Sequence, residues 1–266
     1  MVIWAATAGK TLRQSGWWIK ASARTKEPLL LAQPCVLRKL QLLTLVAIQE
    51  AGKIRCVGLN YTDHAAEVRL ALPTHLEIFL KPDICVHSPV LPLTLPKITS
   101  WECDAEVELA VVISKMCRDV TPARATEFVL GYMTANDMTA RKIQGKGSQW
   151  GYSKGFDGFC PMRPCLVARK AIPDPSLLLQ KTTLDGWLAQ SVRLPYLTGK
   201  MVSGWHRRHS MLTVNQGTTL TVVFTGTPAG IEHSYSPPLY LKEGSDLKMW
   251  ISHGLGTLVN KVEQVK

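Results

Sequence analysis

The chain has 266 residues, a length that allows one large domain or one domain with a small appended piece. Apolar residues make up 46%, which excludes a disordered chain, and the apolar run at 40–48 is too short to span a bilayer. The net charge of +11 is concentrated at the start: residues 1–55 hold nine Lys/Arg against two Glu, and the rest holds 22 against 18 acids, which speaks against a nucleic-acid-binding stripe across the body.

Seven cysteines occur, an odd number with no Cys-x-x-Cys. Free thiols in a reducing compartment are the simplest reading, and a cytoplasmic location follows. The first 26 residues carry no acid and five basic residues, so a mitochondrial transit segment is the alternative. Residues 1–50 are expected to form a basic, poorly ordered or small appended segment, and 51–266 the main folded domain.

In chain order, "IRCVG" (54–58) reads as a short strand, and "TDHAAEVRLAL" (62–72) as a helix capped by Thr62 or Asp63. "EIFLKP" and the Pro-punctuated stretch 87–98 read as edge strands and turns. In "WECDAEVELAVVI" (101–113), Glu102, Asp104, Glu106 and Glu108 recur at every second position. A strand puts all four on one face, with Cys103, Ala105, Val107 and Leu109 on the other. Segment 121–137 begins as a helix with Pro in its first turn and becomes a strand ending at Asn136 and Asp137. Short β segments dominate after 155. With no regular β-α-β alternation, an α+β, mostly β fold with a few short helices is expected.

Glu106 and Glu108 stand side by side on a strand, and Asp137 ends another. Three converging carboxylates make a site for a hard cation, which turns mutual repulsion into shared coordination. A solvated acidic face is the alternative from spacing alone. His64 and Glu67 are three apart on a predicted helix and share a face, as a base and its orienting carboxylate do; the bland alternative is a surface ion pair. Lys154, between aromatics and glycines, is either a cation for an enolate or a snorkelling surface residue. "TGTPAG" (225–230), with Thr227, is either an anion-holding turn or a plain one. His206 and His209 lack a nearby partner and read as surface residues.

Six segments in order, "IRCVGLNYTDHAAE", "DAEVELAVVI", "GYMTANDMTARKIQ", "YSKGFDGFCP", "FTGTPAG" and "LKEGSDLKMWISHGLGTLVNKV", resemble the C-terminal catalytic domain of the fumarylacetoacetate hydrolase family. The resemblance covers roughly residues 36–190 and 220–262. It implies a mixed β-sandwich roll, a homodimer and a bound Mg²⁺ or Mn²⁺. It implies Glu106, Glu108 and Asp137 as metal ligands and His64 with Glu67 as the water-activating pair. Lys154 would stabilise developing charge, and Arg141, Gln144 and Thr227 would hold the carboxylate end of a 2-oxo acid. The implied reaction is hydrolysis of a C–C bond in an acylpyruvate through a metal-stabilised enolate. Oxaloacetate decarboxylation or tautomerisation at the same site is the second reading, and a catalytically impaired metal-binding homologue the third. No membrane or nucleic-acid partner is implied. Residues 191–219 depart from the pattern, with Thr198 and Met201 keeping a displaced Thr-x-x-Met spacing. Arg163 stands where relatives usually carry glycine, a replacement that is strained if φ is positive there.

Overall fold

The computed structural model describes residues 3–4, 53–87, 91–113, 117, 120–194 and 221–265. The N-terminal basic segment apart from residues 3–4, Thr198, Met201, His206 and His209 lie outside the described residues. Two five-stranded sheets form the body. The first runs β1 (Ile3–Trp4), β9 (Leu166–Ala168), β7 (Val129–Asn136), β6 (Val107–Ile113), β12 (Thr221–Phe224), every neighbouring pair antiparallel. The second runs β11 (Trp187–Arg193), β10 (Leu179–Leu184), β13 (Asp246–Ile251), β14 (Gly256–Gln264), β4 (Leu93–Leu95), and only the β14–β4 pair is parallel. A hairpin of β2 (Lys53–Gly58) and β3 (Glu77–Lys81) lies beside β12, and β5 (Cys103–Asp104) pairs with β8 (Thr139–Ala140). The mostly β expectation holds, with three short α-helices among the described residues: α1 (Thr62–Glu67), α2 (Arg141–Gln144) and α3 (Trp150–Lys154).

Strand β6 explains the apolar run that follows the acids, because all seven of its residues are buried. Its odd-numbered residues, Val107, Leu109, Val111 and Ile113, join Met249, Ile251, Leu258 and Val262 of the second sheet in the larger core. Its even-numbered Ala110 and Val112 pack with Ile54, Cys56, Val222 and Phe224 in a second core. A strand covered on both faces reads as continuous hydrophobicity rather than alternation. Glu108 shares the face of Ala110 and Val112, which places it towards the β2–β3 hairpin.

Four local expectations are corrected. Helix α1 stops at Glu67, and its N-cap is Tyr61 rather than Thr62 or Asp63, with no side chain closing the turn. Asp63 instead accepts a bond from the His64 amide. The helix at Pro122–Phe128 is a 3₁₀ helix. Arg163 is not among the residues with left-handed backbone, so its replacement of glycine carries no such strain. Among the described residues, six cysteines are free, and no helix is long and apolar enough to cross a membrane.

Candidate active site

The two ladders through the acidic stretch keep one register across a two-residue interruption, and that register builds the site. β5 pairs Asp104 with Thr139, and β6 pairs Val107 with Asn136. Between them, Ala105 and Glu106 on one side and Asp137 and Met138 on the other leave the ladder. The Asp137 amide donates to the Glu106 carbonyl at 3.0 Å, and the Glu106 amide to the Asn136 side chain at 3.1 Å. That register sets Glu106 directly opposite Asp137, with Glu108 two residues further along β6. Ligating oxygens of Glu106, Glu108 and Asp137 all lie within 4.8 Å of one another, and all three residues are buried. The first acid of the alternation, Glu102, is half-buried, with the Lys142 ammonium 3.7 Å away.

Three cations surround the acids. Lys154, in the last turn of α3, donates to Glu106 and Asp137, each at 2.8 Å, and to the Thr139 hydroxyl at 2.7 Å. It is a buried residue, not a snorkelling one. Lys81, at the end of β3, donates to Asp137 Oδ1 at 2.5 Å. Arg141, the first residue of α2, donates to Glu106, to Asp104 through Nε at 2.7 Å, and to Gln144 at 2.8 Å. The Arg141–Gln144 bond leaves the Gln144 NH₂ as a donor at the cavity wall.

These pairings decide the protonation of the acids. Burial works to raise the Glu106 carboxyl, but Lys154 and Arg141 outweigh it and bring it down to about 2. Burial and the neighbouring Asp137 and Glu106 charges push Glu108 well above the ordinary carboxylate range. Glu108 accepts the Gly226 amide at 2.6 Å, and no ion pair reaches it among the described residues. The donor set is carboxylate only, without sulfur or imidazole. That chemistry fits a hard divalent cation, and Glu108 is the ligand whose charge such an ion would relieve.

His64 and Glu67 of α1 meet as expected: His64 Nδ1 lies 3.2 Å from Glu67 Oε2. Glu67 is itself held by the Gly230 amide at 2.8 Å. The "TGTPAG" turn therefore spends two amides on the chain's own carboxylates, Glu108 and Glu67, rather than on an outside anion. Gly226 takes φ 89° to do so. Thr227 accepts from Gln190 Nε2 at 3.1 Å. All nine residues singled out in the sequence, His64, Glu67, Glu106, Glu108, Asp137, Arg141, Gln144, Lys154 and Thr227, line one cavity of about 400 Å³.

Lys81, Gln190 and Glu232 escape sequence reading. Lys81 sits in "FLKP" and looks like an edge-strand lysine; only its buried position reveals its bond to Asp137. Gln190 reaches Thr227 from β11 across the two-sheet body. Glu232 packs against Asp104, whose carboxylate accepts the Glu232 amide at 3.1 Å. Burial, reinforced by a hydrogen bond and the charge of Asp104, pushes the Glu232 carboxyl well up.

The model of the Fumarylacetoacetate (FAA) hydrolase C-terminal domain matches residues 53–263, a span that takes in every residue of the cavity. The chain belongs to the fumarylacetoacetate hydrolase family. It is an enzyme of that family, and its relatives include hydrolases and a tautomerase. Caffeoylpyruvate hydrolase of Neonothopanus nambi is 34% identical over 238 residues, covering 87% of this chain and 74% of that protein. The mitochondrial oxaloacetate tautomerase of Rattus norvegicus is 35% identical over 237 residues, covering 88% and 73%. The solved fumarylacetoacetate hydrolase of Exiguobacterium antarcticum superposes with a TM-score of 0.71 at 35% identity, covering 85% of this chain and 79% of that one.

Proposed function

We propose that this family member hydrolyses the C–C bond of acylpyruvate-type 2-oxo acids at a site holding one divalent cation, Mg²⁺ or Mn²⁺. The observation that carries the reading is the convergence of Glu106, Glu108 and Asp137 in the same cavity as the His64–Glu67 pair. Glu106, Glu108 and Asp137 would hold the ion, which when bound supplies Lewis-acid polarisation of the 2-oxo acid's oxygens.

The chain's own groups account for the remaining chemistry. With its Nδ1–H given to Glu67, His64 keeps a lone pair on Nε2 and takes a proton from water. The water oxygen bonds to the distal acyl carbon. The bond from that carbon to the methylene breaks, and its electron pair leaves with pyruvate as the enolate, which then takes a proton. Glu67, anchored by the Gly230 amide, holds the imidazole and stabilises the imidazolium. Lys154 offers a buried ammonium to the developing negative charge. Arg141, Gln144 and Thr227 present donors from the wall to the carboxylate end of the substrate. Without the attacking water, the same groups support oxaloacetate tautomerisation or decarboxylation; the rat relative favours this as the second reading. A homodimer accompanies the proposal.

A panel of acylpyruvates and oxaloacetate, with and without Mg²⁺, tests the proposal by product analysis. Pyruvate and the matching carboxylic acid are expected from acylpyruvates only when Mg²⁺ is present. Turnover of oxaloacetate alone would replace the hydrolase reading with the second one.

A further inference from the structure

The cavity is two-sided in chemistry. Besides the carboxylates and their cations, its lining includes Val57, Leu59, Val68, Leu70, Phe79 and Trp150. Helix α3 links the two sides. Trp150 and Lys154 are four residues apart and so share a face, one turn or about 5.4 Å along the axis. The Phe79 ring lies between them in chemistry: its centroid is 5.2 Å from the Lys154 ammonium and 5.6 Å from the Trp150 ring, which it meets edge-on at 74°.

This wall is built in advance of any ligand. Trp150 rests directly on Gly58 at the end of β2, where a Cβ would come within 2.1 Å of the indole Cζ3. Leu59 beside it takes a left-handed backbone, φ 48°, unusual for leucine. Leu70 lines the cavity yet is 53% exposed, apolar surface that a ligand would cover. The cation that reaches this wall, Lys154 over the Phe79 ring, is already paired with Glu106 and Asp137. Arg141 and Lys154 are committed to Glu106, Asp104 and Asp137. A distal carboxylate here would be desolvated against apolar side chains with only an ammonium already shared by two carboxylates beside it, which is costly.

From this we infer that the wall of Phe79, Trp150, Leu59 and Leu70 is an acyl subsite for a flat apolar group, so that the substrates are aryl-bearing acylpyruvates rather than short-chain or distally acidic ones. The inference rests on the acylpyruvate reading and deepens it.

Binding is best measured with 2-oxo acids that lack the second carbonyl and cannot be cleaved. Calorimetric titration of the full chain with Mg²⁺ present compares 2-oxo-4-phenylbutanoate, 2-oxopentanoate and 2-oxoadipate. The phenyl compound is expected to bind about tenfold or more tighter than the other two. In Trp150→Ala that ratio falls to about threefold or less, and Phe79→Leu serves as the second variant should Trp150→Ala fold poorly. Equal affinity for all three ligands in the wild type, or tightest binding of 2-oxoadipate, overturns the inference, as does an unchanged ratio in the folded variants. Pyruvate release from benzoylpyruvate is followed separately. Its absence, with the binding order intact, refutes the hydrolase reading and leaves the subsite standing.

Discussion

Lys81 shows how much of a site hides behind its visible ligands. Its side chain is wholly buried, and its ammonium is held by Asp137 and, at 3.3 Å, by the Met138 carbonyl. Burial works to lower the Lys81 ammonium, but the Asp137 carboxylate outweighs it and raises the group above its ordinary value. Breaking one side of a buried pair leaves an uncompensated charge, so Lys81→Met is expected to lower stability by about 3 kcal/mol, read from urea denaturation. A change within a few tenths of that scale's zero would mean Asp137 is neutralised by Lys154 alone. His64→Ala tests the other end of the cavity: it should still bind Mn²⁺ while pyruvate release falls by about a hundredfold or more. Wild-type rates in that variant would remove His64 from its role. At this scale the sequence was informative wherever function forces a short-range pattern. Glu106 and Glu108 are two apart, and His64 and Glu67 three apart, because strand and helix geometry demand those spacings. Lys81 and Asp137 are 56 residues apart, and no local period joins them.

Among the elements, the pairing of β5 with β8 and of β6 with β7 is what brings Asp137 opposite Glu106 and gathers the acids at one place. The alternation correctly predicted which residues face apart: Cys103, Ala105, Val107 and Leu109 all enter the main core. It could not show that the ladder is interrupted at Ala105 and Glu106, because the interruption depends on pairing with β7 and β8, more than 20 residues away. Helix α1 is shorter than its apolar pattern suggests: the chain turns at Val68 and Arg69, the latter at φ 55°, and Val68 and Leu70 line the cavity from that turn. The 3₁₀ turn at Glu232–Ser234 carries a testable consequence. Burial, with the Asp104 hydrogen bond, raises the Glu232 carboxyl above its ordinary 4.5, so the folded state holds a proton that the unfolded chain releases. Stability from this group is therefore full below 4.5 and is lost as pH rises through the raised folded value. Glu232→Gln keeps the shape without that loss. Its melting temperature is expected to gain on the wild type as pH goes from about 5 to about 8. A constant difference across that range would show that Glu232 stays ionised in the fold.

The whole molecule uses its two sheets for different tasks. The second sheet supplies the far wall of the main core, while the first carries function on its other face, where β6 and β7 end at the acids and the β2–β3 hairpin adds Lys81. The fold class was legible because six ordered segments carried the family pattern. The pairing of β14 with β4 and the reach of Gln190 to Thr227 were not, since both are contacts between distant parts of the chain. The family match fixes the scaffold, and the reaction is selected by the charges within it. The proposed function places a divalent ion among Glu106, Glu108 and Asp137, which could hold one. Calorimetric titration of Mn²⁺ into the wild type and into Glu106→Ala tests that placement most directly. The account predicts one ion per chain in the wild type and none in the variant; equal binding to both, or to neither, contradicts it.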